Sequence, residues 1–149
     1  MKKIKYFLEF ILIICFFFIF RIIGYKNASN LGGIIGKKFG PFFRSNTKIH
    51  ENLKNSKIGN SYEDRENLIK SMWCNYGKIL SEYIFLKQFR KKNLNKFIEI
   101  EGLDLLTNIK KNNEQVVFIS GHFNNFELMA MEIDRAGINL CTIYRPLNN

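Results

Sequence analysis

The sequence predicts an α/β protein held behind an N-terminal transmembrane helix. Residues Ile4 to Ile23 are almost wholly apolar. Two runs of strand character, Val116–Ser120 and Ile138–Tyr144, flank a helical stretch from Phe126 to Ala136. Strand, helix and strand within about 30 residues make a βαβ unit, whose crossover should be right-handed. A length of 149 residues admits one domain of ordinary size.

The apolar segment comes first. Twenty helical residues span about 30 Å, the hydrocarbon thickness of a bilayer. Lys5, Glu9 and Arg21 interrupt the segment, and Phe10 to Phe20 carries no charge. Lys5 and Arg21 lie near its ends, where long side chains reach the interface. Glu9 sits about one turn inside. A cleaved signal peptide is the competing reading, but Gly24-Tyr25-Lys26-Asn27 offers no small-x-small cleavage site. A buried core helix is the third. The expected division is a membrane anchor over 1–23 and a second region over 24–149. Cations flank both ends of the segment, so charge does not orient it.

The formal net charge is +10. Residues up to Ile23 carry +3 of it and the remainder +7. A basic region beside an apolar anchor suits an anionic membrane surface, an acidic protein or a nucleic acid. Abundant Lys, Asn, Ile and Phe would also follow from an AT-rich genome. No known nucleic-acid motif is visible, and the anchor argues against that partner. Cys15, Cys74 and Cys141 are odd in number and lack paired spacing, which excludes a disulfide framework or zinc pattern and favours a reducing compartment.

Gly32, Gly33, Gly36 and Gly40 lie among apolar residues, as in a closely packed helix or a turn-rich juxtamembrane segment. They do not follow a strand, so they make no phosphate loop. Pro41 ends this segment. Ser61 to Asp64 forms a capping box with Asp in place of the usual Glu or Gln. A long helix should follow, with Leu68, Ile69, Met72, Trp73, Tyr76, Leu80, Tyr83 and Ile84 on one core-facing stripe. Gln88 to Lys96 is polar and basic, as in a turn. Phe97–Glu101 alternates like a half-buried strand. After Gly102, Leu103–Lys111 reads as a helix with Leu106 and Ile109 inward. Val116–Ser120 is apolar throughout, as in a strand covered on both faces. Gly137 caps the helix that ends at Ala136.

The chemistry-bearing segment is Ser120-Gly-His-Phe-Asn-Asn-Phe-Glu127, between a strand and a helix. In open α/β sheets ligands bind beyond the carboxyl ends of strands. In one regular helix, His122 and Glu127 would lie about 140° apart. They meet only if His122 precedes the helix in a bend, which Gly121, Asn124 and Asn125 favour. Glu127 would then fix the imidazole tautomer, and the other ring nitrogen would take a proton from a hydroxyl. Spacing alone does not separate this pair from a structural loop histidine. A metal role lacks a third ligand nearby. His50 has no acid five residues on.

Gly121-His-Phe-Asn-Asn-Phe-Glu-Leu128 resembles the active-site block of the lipid A biosynthesis lauroyl/myristoyl acyltransferases. Tyr144-Arg145-Pro146-Leu-Asn-Asn149 resembles the Tyr-Arg-Pro block that follows it. Gly102–Leu106 and the apolar N-terminus are also similar to that family. Phe126 stands where the family usually has Trp, and Asn124 where Gly is common. The resemblance implies the first part of a glycerolipid-acyltransferase-like α/β domain over 24–149. It implies transfer of a fatty acyl chain from acyl carrier protein to a hydroxyl of a lipid A precursor. His122 is then the general base and Glu127 its orienting partner. Arg145 and Asn125 are the substrate-binding candidates, Arg145 for phosphate or developing negative charge. No cofactor, metal or covalent acyl-enzyme is implied. The expected location is the inner membrane, with the catalytic region cytoplasmic. Full members continue through further strands and helices, so an inactive truncated membrane-anchored fragment or binding module is the alternative expectation.

Overall fold

A computed structural model describes residues 2–91, 95–121 and 123–143. The chain forms two compact units, Met1–Lys87 and Gln88–Asn149.

The first unit opens with helix α1, Lys2–Phe39, which is interrupted at Gly24. There φ is 78° and ψ 167°, a region that essentially only glycine occupies. Asn27 answers the break, its Nδ2 donating to the Ile23 carbonyl at 3.0 Å. The kink falls immediately after the expected anchor. The arm before it presents Phe7, Leu8, Phe10, Leu12 and Phe18 outward. The described helix is long and apolar enough to cross a membrane, and little of its apolar stretch is buried within the molecule. Such exposure does not fit the core-helix reading.

The arm after the kink pairs with α3, Tyr62–Glu82. Tyr25 meets Phe85 edge-on at 5.8 Å, and Ser29 Oγ donates to Glu82 Oε1 at 2.6 Å. Farther along, Gly32 and Gly36 face Gly77, and Gly40 faces Trp73. Rising numbers on one helix meet falling numbers on the other, so the two run antiparallel. Of the glycines expected to lie in a closely packed helix or a turn-rich stretch, Gly32, Gly33 and Gly36 are within α1, and Gly77 is the partner of Gly32 and Gly36. A Cβ added at Gly77 would stand 2.0 Å from the Gly32 carbonyl oxygen. Only bare backbone permits that approach.

α1 gives way to a 3₁₀ turn, Gly40–Phe42, with Pro41 near its start. Helix α2, Asn46–Asn55, follows. α3 opens on the expected capping box: Ser61 Oγ accepts from the Asp64 amide and Asp64 Oδ2 from the Ser61 amide, each at 3.0 Å. The stripe expected to face the core is only partly covered. Ile69 is buried, whereas Tyr76 and Leu80 are exposed. The face of α3 against α1 includes Trp73 of that stripe together with Gly77 and Ser81, which lie outside it. Small residues allow the closer contact, so apolarity alone did not mark the packed face.

The second unit begins within α4, Leu86–Arg90, so the polar stretch from Gln88 starts as helix rather than turn. A 3₁₀ turn, Asn95–Phe97, and helices α5, Leu103–Asn112, and α6, Glu127–Arg135, complete it. Both helices match their expected positions. Leu106 and Ile109 are the part-covered apolar positions of α5. After α6, Gly137 has φ 75°, and the Ile138 amide reaches back to the Ile133 carbonyl at 3.4 Å. That is the left-handed helix stop glycine favours. Phe89 and Ile133 are buried. Arg135 anchors α6 to the end of α4: its guanidinium donates to the Phe89 carbonyl, to the Arg90 carbonyl at 2.9 Å and to Glu132. A cation there satisfies carbonyls that a helix end leaves without internal partners.

The expected α/β fold is not formed: among the described residues there is no strand and no sheet. Phe97–Glu101, Val116–Ser120 and Ile138–Ile143 carry strand-like patterns but form no ladder with one another. Val117 and Ile119 are 88% and 91% exposed, so one side of the segment expected to be covered on both faces is bare. An apolar run states that a segment tolerates burial. A strand additionally requires a neighbour to accept its backbone hydrogen bonds.

Candidate active site

Two of the four candidate residues, Asn125 and Glu127, lie just before and at the start of α6. His122 and Arg145 lie outside the described residues, as does the whole Tyr144–Asn149 block. Asn125 and Glu127 are described. Upstream, the Phe123 amide donates to the Gly121 carbonyl at 2.8 Å. Asn124 has φ 48°, a left-handed conformation rare for non-glycine residues but tolerated by asparagine. This supports the loop-shaping role expected of Asn124. The Leu128 and Met129 amides then bond the Asn125 and Phe126 carbonyls at 3.0 and 3.1 Å, winding the chain into α6.

Glu127 is the first residue of α6, in the helix's first turn as expected. A carboxylate there complements the positive end of the helix dipole. Phe126, the N-cap residue, offers no capping side-chain hydrogen bond. Asn125 Oδ1 and Glu127 Oε2 are both shielded from solvent. The loop thus places a shielded carboxylate at a helix start, five positions past residue 122.

Replacing Asn124 with valine should cost about 1–2 kcal/mol, the penalty of left-handed backbone for a branched side chain. Asn124→Gly should be neutral. Limited proteolysis of the 120–126 loop would show this as faster cleavage in the valine variant alone; equal rates in both would remove the loop-shaping role.

The described histidine–carboxylate pair lies elsewhere. In the first unit, His50 Nε2 meets Glu66 Oε1 at 2.5 Å, and its ring stacks on Tyr62 at 4.6 Å between centroids. His50 Nδ1 is shielded from solvent. With one nitrogen on Glu66 and the other shielded, His50 has no face for a substrate hydroxyl. It joins α2 to α3. Sequence spacing did not reveal this pair, because its partners are 16 residues apart on different helices. Arg135 was missed for the same reason: its partner carbonyls belong to another helix.

The sequence matches the family described as bacterial lipid A biosynthesis acyltransferase over residues 1–149, and the chain belongs to that family. It is 29% identical over 124 residues to a lipid A biosynthesis palmitoleoyltransferase of Escherichia coli (strain K12). It is equally similar to a lipid A biosynthesis acyltransferase of Shigella flexneri. Each alignment covers 80% of this chain and 39% of the relative. The chain therefore spans about two fifths of the length of the curated relatives it matches. No solved structure matches it.

Proposed function

We propose that the chain forms the membrane-anchored, His122-bearing portion of an acyltransferase of lipid A biosynthesis. The donor is a fatty acyl thioester of acyl carrier protein, and the acceptor is a hydroxyl of a lipid A precursor. Residues 4–23 anchor the protein in the inner membrane, with the remainder on the cytoplasmic side. The observation that carries this reading is the family match across the whole chain, which includes the His122-x4-Glu127 motif.

His122 removes the acceptor hydroxyl's proton as the oxygen attacks the thioester carbonyl. Glu127 accepts a hydrogen bond from the other ring nitrogen and keeps the ring in the competent tautomer. The tetrahedral intermediate carries an oxyanion, for which Arg145 supplies charge, or else Arg145 holds a substrate phosphate. Asn125 adds a hydrogen bond to substrate. Collapse breaks the carbon–sulfur bond, and the imidazolium returns its proton to the leaving thiolate. No serine or cysteine nucleophile takes part. The +7 carried beyond Ile23 suits an acidic carrier protein and anionic lipid.

Acyl transfer from acyl carrier protein to a lipid A precursor, assayed in membranes holding the protein, tests this reading. Glu127→Gln should lower kcat by about 10–10³-fold, a part of what a positioned base supplies. Glu127→Asp should retain more activity, because it keeps the charge. Wild-type turnover in the glutamine variant would remove Glu127 from the mechanism. Transfer that proceeds without the carrier-protein thioester would remove the proposed donor.

A further inference from the structure

The first unit carries a half-open apolar groove with a volume of about 570 Å³. Its wall includes Phe16 and Phe20 from the first arm of α1, Phe39 and Phe43 at the far end, and Trp73 and Leu80 of α3. Ligand pockets typically run from about 300 to 1,000 Å³. The wall is almost without polar atoms. Water finds too few partners in such a space, so the matching occupant is a wholly apolar body.

The chain on either side of the wall residues Phe39–Phe43 has the opposite character. Residues 37–48 include Lys37, Lys38, Arg44 and Lys48 and no acid. Lys38 Nζ lies 5.6 Å from the ring centroid of Phe39, which is itself part of the wall. Phe42 and Phe43, between these cations, are each 85% exposed. An apolar slot whose wall segment is flanked by cations is complementary to a long hydrocarbon chain ending in an anion.

We infer that this groove holds an acyl chain of an anionic bilayer phospholipid, whose phosphate meets Lys37, Lys38 and Arg44. The inference rests on the reading of residues 4–23 as a membrane anchor. The first arm and the Gly40–Phe43 elbow wall one groove, so a first arm in the bilayer brings the elbow to the bilayer as well. Phe42 and Phe43 then enter the hydrocarbon while the cations stay among headgroups. A second copy of the chain fits less well, because a symmetric contact would set two cationic segments together.

Trp73, the single tryptophan of the 149 residues, reports on the groove wall. The protein is reconstituted in vesicles of phosphatidylglycerol or phosphatidylcholine whose acyl chains are brominated, with Trp73→Phe to define background emission. Brominated chains should quench Trp73, more strongly in phosphatidylglycerol. Lys38→Glu with Arg44→Glu, both exposed positions, should leave the helical content intact and reduce that preference about fivefold or more per cation. No quenching in protein that resists carbonate extraction would overturn the lipid site and leave the anchor standing. Release by carbonate would overturn the anchor, and the lipid site with it. Equal quenching in both lipids would overturn the anionic headgroup, and a cross-linked dimer without quenching would assign the groove to a second copy.

Discussion

His122→Ala is expected to lower acyl transfer by about 10²–10⁴-fold, the usual contribution of a positioned general base. The loss should fall on kcat, because the proton moves only as the hydroxyl attacks. Membrane level and carrier-protein binding should stay unchanged. A merely structural histidine at this loop would instead reduce the amount of folded protein and spare the turnover of what remained. The double variant His122→Ala/Glu127→Ala separates these further. If Glu127 acts only through the imidazole, its removal costs nothing more once the imidazole is gone. The double variant should therefore match His122→Ala. Multiplicative losses in the double variant, or full turnover in the single one, would end the proposed pairing.

Gly77→Ala should destabilise the first unit by about 3 kcal/mol or more, at the upper end of overpacking costs. The added Cβ would lie 2.0 Å from the Gly32 carbonyl oxygen and 2.9 Å from the Gly36 Cα. Both obstacles are backbone, so no rotamer change relieves them, and the helices must separate along their contact. Gly33→Ala is the matched control. Its Cβ would meet Cys74 Sγ at 3.0 Å and Lys78 Cγ at 3.1 Å, side-chain atoms that are free to shift. Its cost should stay within about 1 kcal/mol, apart from the gain in helix propensity. Thermal unfolding in detergent, followed by helical circular dichroism, measures both. A Gly77→Ala variant as stable as Gly33→Ala would mean that α1 and α3 do not pack as closely as described.

Glu127→Gln and His122→Ala concern positions that were readable before any fold was known. The motif is local, and its residues are eight consecutive positions. The capping box was readable for the same reason: Ser61 and Asp64 are three residues apart, and each meets the other's amide. The ends of α5 and α6 followed from short-range signals too, a helix start at Gly102 and a left-handed stop at Gly137.

The α/β reading failed where the signal was one-sided. Val116–Ser120 has the composition of a buried strand, yet composition does not say which neighbour will pair with it. Tyr76 and Leu80 were misread similarly. Their apolarity marked them for a core, while the close contact went through Gly77 and Ser81.

Sequence alone determined the helix caps, the apolar segment of membrane length, the loop asparagine at residue 124 and the family to which the motif points. Each depends on residues within a turn or two of one another, where geometry follows directly from chain connectivity. Tertiary structure decided that no described segment forms a sheet, that Gly32 and Gly36 face Gly77, that His50 belongs to Glu66 and that Arg135 closes the end of α4. Those outcomes depend on which distant surfaces meet, and a meeting is settled by the close packing of all parts together rather than by any single stretch.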